Sequence, residues 1–221
     1  MAAYDLEEQE QLDELKTWWK MYGNLVTGIL VVAALAAVSW QGWNWWQRKE
    51  AAQASVLYSG VQNAVAQKDA KRARELAGEL IDKYSSTAYA GMGALLAARI
   101  QVESGDAKSA RAQLAWAGQN AKDPGLRDLA RLRLAAVLLD DKAYDEALAQ
   151  LAAEPSAAFA PRFAEVRGDV YAAQGKMAEA RDAYDAALTK FDALAKTDET
   201  RQRGAYRDIV QSKRDSAGAA K

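Results

Sequence analysis

The chain has no cysteine and no histidine among its 221 residues. These absences exclude disulfide bonds, thiol catalysis, structural zinc held by those side chains and imidazole acid–base catalysis. A glycine-rich phosphate loop is missing as well, and the acidic pair Asp140–Asp141 is typical of a helix end at a turn. We therefore expect no catalytic residue, no metal site and no cofactor, in a chain that is not an enzyme.

Proline is scarce, with 3 residues, and β-branched residues are sparse beyond residue 46. Hydrophobic residues make up 50% of the chain, and alanine, the best helix former, is abundant. This composition favours an all-α fold. The net charge is −1 and no strong basic patch is evident, so we expect no nucleic acid partner.

Charged residues are missing altogether between Gly23 and Trp46. A helix needs about 20 mostly apolar residues to cross a bilayer core. Indole rings prefer the membrane–water interfaces, and six of the 7 tryptophans flank this stretch: Trp18, Trp19, Trp40, Trp43, Trp45 and Trp46. We predict a transmembrane helix with tryptophan collars at residues 21–46, in contact with membrane lipid.

Two other interpretations of this stretch are open, a cleaved signal peptide and a buried core helix. A signal peptide starts with a basic region, whereas six carboxylates and two lysines lie in the first 20 residues here. A core helix would not need tryptophans at both ends. Charge leaves the orientation open, because Lys16 and Lys20 before the stretch are matched by Arg48 and Lys49 after it.

Two further patterns lie in the N-terminal region. Residues 1–20 form an acidic amphipathic segment, in which Leu12, Leu15 and Trp19 would share one helix face. Within the transmembrane helix, small or polar residues recur at helical spacing, which suits close packing against another membrane helix. This pattern predicts partner binding by Asn24, Gly28, Val32, Ala36 and Ser39. Alternatively, small residues are simply abundant here.

The segment that begins at Gly168 resembles the tetratricopeptide repeat, a helix–turn–helix unit of about 34 residues. Gly168 and Ala180 stand where small residues let the two helices approach closely, and Tyr184 would fill the space beside them. Gly175 stands at the turn, where a helix often ends with a positive φ. We therefore predict a helical hairpin here.

The second helix of this hairpin recurs along the chain. Its alanine is matched by Ala147, Ala110 and, in a weaker copy, Ala73, at spacings of 33, 37 and 37 residues. A single hairpin cannot bury its apolar face alone, so the hairpins would stack into one core. We predict an all-α protein with a tetratricopeptide-repeat-like α-solenoid at 47–197, a capping helix at 198–213 and a disordered tail at 214–221.

The repeat resemblance also implies a binding groove, because certain first-helix positions line the concave surface of such solenoids. These positions are Met92, Leu95, Arg99, Val102, Leu129, Leu132, Ala136, Leu139, Arg162, Glu165, Asp169 and Ala172. The groove would be apolar in its first two parts and charged in the third. It could hold a polypeptide, or the final helix could fill it through Tyr206, Ile209 and Val210. These positions could also be ordinary core, with the register displaced by one residue.

The order of these features resembles the YfgM-type ancillary subunit of the bacterial SecYEG translocon. The resemblance covers nearly the whole chain and rests most on residues 15–46. It implies a single-pass protein of the bacterial inner membrane, with a cytoplasmic N-terminus and a periplasmic repeat domain. It also implies two partners, the SecYEG translocon and a membrane-anchored periplasmic chaperone of the PpiD type.

From these patterns we predict a non-enzymatic, membrane-tethered interaction module near the Sec translocon. It would bind the periplasmic chaperone, emerging secretory polypeptides, or both, and assist their folding and trafficking. The alternative is an envelope assembly scaffold, whose repeats make stable protein–protein contacts and bind no client.

Overall fold

A computed structural model describes the backbone of residues 2–195 and 203–219 and the side chains of residues 11–194 and 206–218. Within these ranges every regular element is an α-helix, which confirms the predicted all-α class. The helices are α1 (Ala2–Ala66), α2 (Ala70–Tyr84), α3 (Ala88–Glu103), α4 (Ala107–Asn120), α5 (Pro124–Asp140), α6 (Tyr144–Gln150), α7 (Ala160–Ala173), α8 (Met177–Ala195) and α9 (Arg203–Ala219).

The chain divides into two compact units, residues 1–50 and residues 51–221. The first unit consists of the N-terminal part of α1, which is unbroken from Ala2 onward. Its most apolar stretch has a mean hydropathy of 2.0, and only 6% of that stretch is buried. A helix of this length and composition, apolar on every side, can span a bilayer. It is the candidate membrane helix that the sequence predicts.

The second unit is a stack of antiparallel helical hairpins. The end of α1 pairs with α2, α3 with α4, α5 with α6, and α7 with α8. The turn of each hairpin contains one residue with positive φ, in an equivalent position: Lys68, Gly105, Lys142 and Gly175. A backbone in this left-handed region ends the first helix and lets the chain reverse.

Small residues hold the two helices of each hairpin together. All four alanines that mark the repeats, Ala73, Ala110, Ala147 and Ala180, are fully buried. In the last hairpin a methyl group on Gly168 would lie 2.5 Å from Cε1 of Tyr184, well inside van der Waals contact. The close approach inferred from these small residues is therefore present in the structure.

The last helix, α9, runs antiparallel to α8 and packs against it. Val210, in the middle of α9, is fully buried in this contact, and Ala217 is buried near the C-terminal end of the helix. Residues 214–219, expected from the sequence to be disordered, continue this helix. The reason is tertiary, because Arg214 donates to Asp185 of α8 at 2.8 Å and Ala217 packs on the last hairpin. The expected start of this helix at residue 198 lies outside the described residues.

Candidate interaction surface

The first helices of the second, third and fourth hairpins, α3, α5 and α7, pack side by side. Arg133 on α5 bridges to α3, where its Nη1 donates to the carbonyl oxygen of Leu95 at 3.3 Å. We call the solvent-facing side of these three helices the first-helix face. It contains the side chains from which the sequence analysis built its groove.

On α3 and α5 the expected groove residues divide into two sets. Leu95 and Leu132 are 4% and 8% exposed and belong to the hydrophobic core. A partner could not reach them without opening the hairpins, so they are removed from the candidate surface. The reason is helical register, since neighbouring residues on an α-helix point about 100° apart. The accessible residues are Arg99, Val102 and Ala136, with Met92, Leu129 and Leu139 half-buried beside them.

On α7 the expected groove residues are engaged by α9. The Glu165 carboxylate is 2% exposed and accepts hydrogen bonds from Arg162, at 2.7 Å, and from Lys213, at 2.9 Å. The hydroxyl of Tyr206 donates to the same carboxylate. The guanidinium carbon of Arg162 lies 4.5 Å from the centre of the Tyr206 ring, in cation–π geometry.

A second carboxylate, Asp169, completes this network. It accepts hydrogen bonds from Lys213 at 2.9 Å and from the hydroxyl of Tyr184 at 2.8 Å. Burial favours the neutral phenol of Tyr184 and raises its pKa, and the hydrogen bond to Asp169 raises it further. The two carboxylates of α7 are therefore compensated within the chain, whereas Arg167 of the same helix donates to the carbonyl oxygen of Leu151 at 2.7 Å.

Fewer residues of α9 pack against the repeats than the sequence analysis expected. Of the three residues proposed to fill the groove, Val210 is fully buried and Tyr206 is half-buried, but Ile209 is 51% exposed. The ion pairs Arg207–Asp192 and Arg214–Asp185 tie α9 to α8. Among the described residues, α9 covers the end of the stack and leaves the sides of α3 and α5 open.

One residue of this face was missed by the sequence analysis. Arg133 lies four residues after Leu129 and three before Ala136, so helical spacing alone places it on the same side of α5. Its guanidinium is half-buried, and no carboxylate among the described residues forms an ion pair with it. Burial lowers the pKa of Arg133, and the nearby Arg99 cation lowers it further.

The small and polar stripe of the membrane helix is accessible along its whole length. Asn24, Gly28, Val32, Ala36 and Ser39 are all exposed. A methyl group on Gly28 would meet nothing within 4 Å, so the helix surface there is open to close approach by another helix. Partner binding by this stripe stays a prediction.

A helix apolar and long enough to span a membrane, followed by stacked hairpins with small residues at their contacts, fits a single-pass membrane protein with tetratricopeptide-like repeats. In agreement, the tetratricopeptide repeat-like domain family matches residues 16–219. The chain is also similar to three proteins curated as "Ancillary SecYEG translocon subunit". The relative from Neisseria gonorrhoeae is 35% identical, and the alignment covers 98% of this chain and 99% of that protein.

The relative from Haemophilus influenzae is 30% identical, with 84% of this chain and 90% of that protein covered. The relative from Escherichia coli K12 is 28% identical, with coverage of 85% and 90%. The chain belongs to the family of ancillary SecYEG translocon subunits, which confirms the resemblance seen in the sequence.

Among solved structures, the chain is similar to MamA from Desulfovibrio magneticus RS-1, residue 41 to the end. The sequences are 17% identical, with a TM-score of 0.48, and the match covers 75% of this chain and 89% of that one.

Proposed function

We propose that this chain is a non-enzymatic interaction module, tethered in the membrane and associated with the SecYEG translocon. Its relatives are named as ancillary subunits of that translocon. Its own architecture supports the same role, since one membrane helix precedes a repeat domain of a kind that acts by binding other proteins. Tethering would raise the local concentration of the repeats where chains emerge, so modest affinity would suffice.

We further propose that the chain spans the bacterial inner membrane once, with the N-terminus in the cytoplasm and the repeats in the periplasm. The orientation rests on the family resemblance. Because the chain has no cysteine, single cysteines can report it cleanly. In spheroplasts, a membrane-impermeant maleimide should label Lys108→Cys in the repeats, but Glu14→Cys only after permeabilisation. The reverse pattern would overturn the orientation.

The proposed ligands are a PpiD-type periplasmic chaperone, emerging secretory polypeptides, or both. The observation that carries this proposal is the open first-helix face of α3 and α5. There Val102 is 43% exposed, and Ala136 is exposed beside the half-buried Leu129 and Leu139. Exposed apolar surface of this kind favours a protein partner.

Site-specific photocrosslinking tests this proposal in cells. A crosslinker at Val102 or Ala136 should capture the chaperone or a secretory chain, because these positions face solvent on the first-helix face. Lys108 on α4 is an exposed control outside that face. Capture at Lys108 equal to that at Val102 and Ala136, or capture at none of them, would contradict client binding by this face.

The alternative, an envelope assembly scaffold without clients, has one observation in its favour. Part of the expected groove, at Arg162, Glu165 and Asp169, is occupied by the chain's own α9.

A second experiment asks whether the membrane helix only anchors the protein or also recognises the translocon. In this experiment residues 21–46 are replaced with an unrelated membrane helix. If translocon association is lost, the stripe from Asn24 to Ser39 takes part in docking; if it persists, the repeats suffice.

A further inference from the structure

The first-helix face carries carboxylates on α7 and an arginine on α5. The carboxylates have a cationic partner within the chain, whereas the arginine has no anionic one among the described residues. On α7 the carboxylates of Glu165 and Asp169 both receive the ammonium of Lys213, at 2.9 Å. On α5, by contrast, Arg133 receives no carboxylate and donates only to the carbonyl of Leu95. Both α7 carboxylates are therefore neutralised within the chain, whereas no described residue neutralises the Arg133 cation. Another carboxylate, Asp140, is exposed at the end of α5, two helical turns after Arg133.

The surroundings of Arg133 favour the binding of an anion beside it. Arg99 follows Leu95 on α3 by one helical turn, and Arg133 donates to the carbonyl oxygen of Leu95 at 3.3 Å, so the two arginines are neighbours on this face. The Arg99 cation lowers the pKa of Arg133 in addition to burial. Arg99 has a partner, since its Nε donates to Glu103 at 2.9 Å, so the group of three carries one excess positive charge. Arg133 is half-buried, and a partly desolvated charge interacts more strongly with a counter-ion than one in bulk water.

Apolar side chains lie along the same two helices. Val102 is exposed on α3, Ala136 is exposed on α5, and Leu129 precedes Arg133 by one helical turn. A ligand for this surface must therefore offer apolar groups and a negative charge together. Guanidinium groups recognise carboxylates through paired, charge-assisted hydrogen bonds.

We propose that the first-helix face of α3 and α5 binds polypeptide segments in which a carboxylate lies among apolar residues, with Arg133 and Arg99 contacting the carboxylate. Val102, Leu129 and Ala136 contact the apolar side chains. The inference rests on the proposed function and narrows it, because it states which polypeptides the face selects. Basic segments are rejected, since like charges at a partly buried site cost binding energy.

Short fluorescent peptides test this selectivity on the full-length protein in nanodiscs. The peptides share the same leucine and serine positions and carry Glu, Gln or Lys at all remaining positions. Fluorescence anisotropy should show the Glu peptide binding at least about tenfold more tightly than the Lys peptide, with the Gln peptide between them. The preference should weaken with added salt.

Variants connect the preference to the two arginines. Arg133→Met and Arg99→Met should each reduce affinity for the Glu peptide about five- to tenfold and leave the Gln peptide little changed. The matched control is Arg111→Met on α4, whose guanidinium pairs with Asp141 at 3.4 Å outside this face. Circular dichroism checks that each variant folds. If Arg133→Met does not fold, the test uses Arg99→Glu, at an exposed position, which should abolish the preference for the Glu peptide.

The outcomes separate this inference from the function on which it rests. If all three peptides bind equally, or if the preference survives in Arg133→Met and Arg99→Glu, the charge selectivity is wrong while client binding stands. If no peptide binds at all, the charge selectivity and the binding of secretory polypeptides by this face both fail.

Discussion

Lys213, near the end of α9, donates a hydrogen bond at 2.9 Å to Glu165, a buried carboxylate on α7. The contact joins residues 48 positions apart in the chain. It fastens the last helix to the first helix of the last hairpin. Lys213→Met should therefore loosen α9 and lower the free energy of unfolding by about 1–2 kcal/mol, since the exposed part of the ammonium limits the loss.

Urea unfolding of the full-length protein, followed by circular dichroism, measures this change. The control is Lys190→Met, an exposed lysine on α8, which should shift stability by less than about 0.5 kcal/mol. Equal effects of the two variants would mean that the network around Glu165 adds nothing to stability.

The same network predicts a loss of stability at alkaline pH. Burial opposes the Lys213 ammonium, but hydrogen bonds to Asp169 and Glu165 outweigh it and raise its pKa above the ordinary value of 10.5. A cation with a raised folded-state pKa contributes stability that is complete below its unfolded pKa and is lost as the pH rises through its folded pKa.

The stability difference between wild type and Lys213→Met should therefore be constant up to about pH 10 and shrink above it. A difference that grows with alkaline pH would contradict the assigned ion pair.

The contact between Gly168 and Tyr184 predicts a large effect of a single methyl group. Because that group would lie 2.5 Å from the ring, Gly168→Ala should destabilise the repeats by roughly 1–3 kcal/mol. Gly78 on α2 is a matched control, since a methyl group there meets nothing within 4 Å. Gly78→Ala should stabilise by about 0.5–1 kcal/mol through helix propensity. Thermal melts of both variants would show opposite shifts, and a shared direction would refute the close packing.

Four equivalent turns provide a test of backbone strain. Lys142 has φ of 59°, whereas Gly175 in the next turn has φ of 77°. Left-handed backbone costs a residue with a side chain about 1 kcal/mol or more. Lys142→Gly should therefore stabilise the repeats by roughly 0.5–1 kcal/mol, and Gly175→Ala should destabilise them by a similar amount. Chemical denaturation checks both, and loss of stability in Lys142→Gly would contradict the turn geometry.

Neighbouring residues on α9 test how that helix is seated. Val210 is fully buried and Ile209 is 51% exposed. Val210→Ala should cost about 1–3 kcal/mol, because it removes buried methyl groups and leaves a cavity, while Ile209→Ala should cost less than about 0.5 kcal/mol. If the two costs were reversed in urea unfolding, α9 would be rotated from the orientation described.

Much of the fold could be read from local pattern. The uncharged stretch after Gly23, the buried alanines such as Ala110 and the turn at Gly175 are recognisable because each depends on residue type and short spacing. The candidate surface was less predictable. Leu95 and Leu132 were expected to face the groove but are buried in the core. Arg133, the residue after Leu132, lies on the open side of α5 and was missed.

The sequence by itself determined the helical class, the apolar segment, the repeat spacing and the family, because these follow from composition and from periods of a few residues. Only the tertiary structure decided which charges are neutralised. Lys213 meets Glu165 across 48 residues and Arg133 meets Leu95 across 38, distances at which chain order carries no information about contact. The stacking of the hairpins brings those groups together, and it also leaves the sides of α3 and α5 uncovered.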